Sequence, residues 1–81
     1  MATPLMLSES EVTPFSFYSD ASIYEGIICS SGAYKLSASF ELDQQNEAFQ
    51  FARKLAKASK VVLTTGEISH RIWVKLGGIV H

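Results

Sequence analysis

The sequence predicts an α+β two-layer sandwich, an antiparallel sheet made of two hairpins in ββαββ order with one helix packed on one face. Three observations carry this reading. Residues 34–42 and 68–76 alternate apolar and polar side chains with period two, the mark of a strand with one buried face. Residues 44–59 hold Ala48, Ala52, Ala56 and Ala58 among apolar residues at helical spacing. Turn-forming residues stand between these stretches, at Ser30-Ser31-Gly32 and Thr65-Gly66-Glu67.

Taken in order, residues 1–13 mix Thr, Ser, Glu and Pro4 with few apolar anchors, so they are expected to form a flexible N-terminal arm ahead of a single domain at 14–81. Pro14-Phe15-Ser16-Phe17 fits a short edge strand, because a proline at its start removes no necessary ladder bond. Ile23 to Cys29 is β-branched and aromatic, and with Tyr34, Leu36, Ala38, Phe40 and Leu42 it predicts the first antiparallel hairpin. Asp43 stands where a short acceptor side chain caps a helix beginning at Gln44, and Glu47 lies near the positive end of its dipole. The apolar stripe of that helix is expected from Ala48, Phe51, Ala52 and Leu55, with Asn46, Gln50, Arg53, Lys54 and Lys57 facing water. Lys60 to Thr65 and Ile68 to Leu76 form the second hairpin. Gly77-Gly78 then ends the strand and leaves Ile79-Val80-His81 as an apolar tail.

Composition bounds the function. Eighty-one residues make one small domain with a thin core, so help from a second copy is plausible, and 47% hydrophobic against 19% charged residues argues against disorder. The net charge of -1 hides an acidic first part and a basic second part, since six of the seven Lys and Arg lie beyond residue 50. The single cysteine, Cys29, excludes an intrachain disulfide and suits a reducing compartment, which points to the cytoplasm. The Leu5-Met6-Leu7 run is too short for a signal peptide, and no window approaches the length of a membrane span.

The sharpest candidate binding constellation is Arg71-Trp73-Lys75, two cations flanking the largest aromatic on one face of one strand. With the helix on the Ile72 and Val74 face, this trio stands on the other. An aromatic stacking a base at roughly 1 to 3 kcal/mol, beside cations for phosphate, is how sheets bind single-stranded nucleic acid, and Lys60 on the paired strand would join them. The more ordinary reading covers Trp73 by the N-terminal arm, the tail or a second subunit, with Arg71 and Lys75 lying over it as solvated stems. Arg53, Lys54 and Lys57 make a second basic patch, a candidate surface for phosphate or an acidic partner that would support the trio, although the negative end of the helix explains these bases without a ligand. The acids Asp20, Glu25, Glu41, Asp43 and Glu47 have local roles and form no acid–base pair. His70, His81 and Cys29 are too scattered for a zinc motif, so no catalytic residue, metal or cofactor is expected. The expected function is a small protein-binding module, self-associating and acting as an accessory, regulatory or inhibitory protein. The alternative is nucleic-acid binding, to single strands or RNA, through the basic and aromatic sheet face.

Overall fold

In this computed structural model, which describes residues 3–76, six strands form a single sheet and one α-helix packs against it. Gly77-Gly78 and the apolar tail lie outside the described residues. In chain order the elements are β1 (Leu5–Ser8), a 3-10 turn (Glu9–Glu11), β2 (Thr13–Ser19), β3 (Ser22–Cys29) and β4 (Gly32–Glu41). A second 3-10 turn (Leu42–Gln44), α1 (Gln45–Ala56), β5 (Val61–Thr65) and β6 (Ser69–Lys75) complete them. The strand order is β1-β5-β6-β4-β3-β2. Both expected hairpins are present, and they meet where β4 pairs with β6.

The sheet is nevertheless mixed and wider than the sequence indicates. Leu5–Ser8, read as part of a loose arm, is a strand running parallel to β5, with Leu5 beside Val62 and Ser8 beside Thr65. Four residues with one buried neighbour leave too short a pattern to register as a strand. The following turn is closed by Glu11, whose Oε1 accepts the Ser8 backbone N–H at 2.8 Å. This is the reciprocal Ser-x-x-Glu device that satisfies free N–H groups at a helical start.

The helix covers one face. Ala48, Ala52 and Ala56 are buried against Val61, Leu63 and Ile72, with Phe49 and Leu55 half-buried at the margins. Small side chains along this line let the helix axis approach the sheet closely. Phe51, expected at the centre of the stripe, is 37% exposed and instead meets the edge of Phe40, with ring centroids 5.6 Å apart. Asp43 does not cap the helix, because a 3-10 turn precedes α1 and it is Gln44 whose Oε1 accepts the Glu41 N–H at 3.0 Å.

The apolar set of β4 does not line one face. Leu36 lies beside Trp73 and Ala38 beside Ile72, so a bulge at Ser37 moves the strand out of strict alternation. Tyr34 and Leu36 therefore enter one core with Ile27, Val62 and Trp73, while Ala38 and Phe40 enter the other beneath the helix. A pattern that reads as one wet face and one dry face serves two cores.

The second core exists because the sheet curls. Strands β1 and β2 stand at opposite ends of the strand order, and a flat sheet would set them about 24 Å apart. The chain from Ser8 to Thr13 reaches at most about 18 Å. The sheet must bend toward the face opposite the helix, and the link carries Val12 onto that face beside Leu7.

Candidate functional site

The concave face formed by this curl holds a cavity of about 460 Å³. It is lined by apolar Trp73, Ile27 and Val12 together with polar Arg71, Glu25, Glu9, Ser16 and the buried Thr64. Trp73 is 3% exposed and its Nε1–H donates to Thr64 Oγ1 at 2.8 Å, a buried bond between side chains on adjacent strands. Arg71 Nη1 lies 3.7 Å from Glu25 Oε1, and its Nε is buried without a partner. Both side chains of this pair are partly exposed, so the bond orients more than it stabilises.

Arg71, Trp73 and Lys75 do share one face, as the alternation predicts, but that face is inside the curl. Lys75 is drawn onto the β3–β4 turn, where its Nζ donates to the Ser31 carbonyl at 2.6 Å and lies 5.7 Å from the centre of the Tyr34 ring. A base can stack on Trp73 only if the concave face opens. Lys60 sits exposed at the entry to β5, and its carbonyl accepts the Lys75 backbone N–H at 2.9 Å. Arg53, Lys54 and Lys57 are exposed on the outer side of the helix, with the Arg53 guanidinium 5.9 Å over the Phe49 ring. The helix and the sheet separate these three bases from the trio.

His70 is buried and fully bonded. The Leu42 carbonyl, 3.1 Å from Nε2, can only accept, so Nε2–H donates to it, while Nδ1 shares a hydrogen bond with the Thr65 hydroxyl at 3.0 Å. The ring joins the β5–β6 hairpin to the turn before the helix, a structural task. Cys29 is a half-buried free thiol, 3.3 Å from the Ser31 hydroxyl. Among the described residues, no group of three His, Cys, Asp or Glu side chains is placed to hold a metal ion. No helix among them is long and apolar enough to cross a membrane.

The residues that the sequence reading passed over lie in the β2–β3 hairpin. Strand β3 pairs with β4 only through Gly26–Cys29, while β2 and β3 pair along their whole length. The distal half, residues 16–25, is thus a two-stranded ribbon that overhangs β4. Tyr18 and Ile23, cross-strand neighbours at its tip, are 75% and 67% exposed. On the opposite face Phe15, Phe17 and Tyr24 form a ladder of half-buried rings with centroids 5.7 and 5.6 Å apart, and Lys35 Nζ stands 4.4 Å over Tyr24. The helix packs on β4, β5 and β6, and these rings lie outside the core beneath it. At the base of the ribbon Phe15 lies across Gly26, where a Cβ would stand 2.7 Å from the ring and 2.6 Å from the Tyr34 carbonyl oxygen. The alternation of Phe15 and Phe17, with two residues between Ser19 and Ser22, was the available signal for this hairpin. No known protein family, curated protein or solved structure matches this chain.

Proposed function

We propose that this chain is a small non-catalytic protein-binding module that self-associates through the β2–β3 ribbon and acts as an accessory, regulatory or inhibitory protein. The observation that carries the reading is the overhang with its apolar tip. A two-stranded ribbon is marginal in water by itself, and this one presents Tyr18 and Ile23 on one face and three rings on the other. Aromatic side chains gain most when such a surface is buried against a partner. Arg71 supports the arrangement by holding Glu25 at the ribbon base. The lone thiol of Cys29 fits a reducing compartment, for which the cytoplasm is the natural choice.

Sedimentation velocity over the micromolar range tests the reading. The expected species has twice the 8.9 kDa monomer mass, and changing Tyr18→Ser together with Ile23→Ser shifts the protein to monomer without loss of secondary structure. A strict monomer at every concentration would remove self-association.

A further inference from the structure

We infer that β2 adds edge to edge to β2 of a second copy, antiparallel, with Phe17 on the two-fold axis opposite its own counterpart. The inference rests on the ribbon reading above and specifies its partner and register. It begins with the turn. Asp20 and Ala21 both have positive φ, 52° and 63°, which defines a two-residue type I′ hairpin in which the flanking pair Ser19 and Ser22 exchange hydrogen bonds. Alternation then assigns Thr13, Phe15, Phe17 and Ser19 to the ladder with β3, and turns the backbone groups of Pro14, Ser16 and Tyr18 to the free edge. Pro14 has no N–H to present there. The free edge of β2 offers complete donor and acceptor pairs at Ser16 and Tyr18.

These two residues are self-complementary. Set antiparallel about Phe17, Ser16 of each copy lies opposite Tyr18 of the other and the two exchange both of their bonds, while Pro14 falls beyond the paired stretch, opposite a turn residue. A register centred on Ser16 would set Pro14 against Tyr18 and leave a carbonyl without a donor. The proline therefore selects one register over its neighbour. In that register the two Phe17 rings meet on the ribbon face turned away from the concave cavity, flanked by Phe15 and Tyr24 of each copy, as cross-strand aromatic pairs prefer.

The other face fits as well. Tyr18 of the second copy stands beside Ser16, a small residue that lines the concave cavity together with Pro14, Glu25 and Ile27. A large exposed ring meets a small residue at a hollow lined in part by apolar side chains. The acidic tips do not oppose this. In the Phe17-centred register the two Asp20 side chains lie about 20 Å apart, well past the screening length of about 8 Å at physiological salt. The competing edge, β1, offers four residues only and runs directly into a 3-10 turn.

A charge swap on the axis tests the register. Phe17→Asp and Phe17→Lys each place like charges directly opposite one another, so each variant alone is expected to dimerise at least about tenfold more weakly, and an equimolar mixture is expected to recover a heterodimer. Amide exchange on the unaltered protein gives a second measurement. The Ser16 and Tyr18 amides are expected to be protected at high protein concentration and to exchange freely on dilution, whereas the Phe17 amide, bonded to β3, stays protected throughout. A dimer that is lost on changing Tyr18 and Ile23, but shows neither charge-swap recovery nor concentration-dependent protection at Ser16 and Tyr18, overturns the edge pairing and leaves the ribbon reading standing. A strict monomer overturns both.

Discussion

Single residues in this chain act through geometry that their chemical type reveals only in part. Ala21 shows the point. It holds φ of 63° in the β2–β3 turn, a conformation that costs an L-residue with a Cβ roughly 1 to 2 kcal/mol and costs glycine nothing comparable. Ala21→Gly is expected to stabilise the protein by about 1 kcal/mol in urea unfolding, less the added freedom of glycine in the unfolded chain. Trp73 is the second instance. Its place on the face opposite Ile72 follows from alternation, but its 3% exposure and its bond to Thr64 follow from the curl. Its emission is expected to be blue-shifted and almost insensitive to iodide, and strong quenching in the folded protein would show the concave face to be open. Capping was legible in kind and misplaced in position. Asp43 has the right chemistry, yet the i to i+3 pairs Ser8 with Glu11 and Glu41 with Gln44 make the bonds. Such pairs are visible in the sequence once a helical start is sought at each of them.

At the scale of elements, the helix and the two hairpins around it were readable because period and punctuation agree locally. Alanine spacing located the helix, and its packing explains the choice. Ala48 and Ala52 are fully buried on Val61, Leu63 and Ile72. Ala52→Leu is expected to cost about 1 to 3 kcal/mol in urea unfolding, because three added carbons must force the helix off the sheet. Phe51 was misplaced because its helical angle lies at the border of the stripe, where packing against Phe40 decides its exposure. β4 was read as one amphipathic strand, and the bulge at Ser37 divides it between two cores. Bulges leave no reliable trace in a period-two pattern of small and apolar residues, since either side of Ser37 alternates correctly by itself. The β2–β3 ribbon was half-read for a similar reason. Its start at Pro14 was seen, but its partner and length depend on the turn at Asp20-Ala21, which lacks the usual glycine.

For the molecule as a whole, charge asymmetry and small size pointed to a partner, and curvature determines which surface is left for one. Had the sheet stayed flat, Arg71, Trp73 and Lys75 would form an open basic and aromatic platform. The short link from Ser8 to Thr13 closes that face and shifts the exposed aromatic surface to the ribbon. The sequence alone determined the helix, the two hairpins and the side of the strand on which each β6 residue stands, because these follow from near-neighbour periodicity and turn chemistry. Only the tertiary structure decided that β1 joins the sheet beside β5, that β4 shifts register, and that the Trp73 face is interior. Those outcomes depend on contacts between residues far apart in the chain, such as Leu5 with Val62, and on the reach of a four-residue link across a sheet whose strand order no local pattern records.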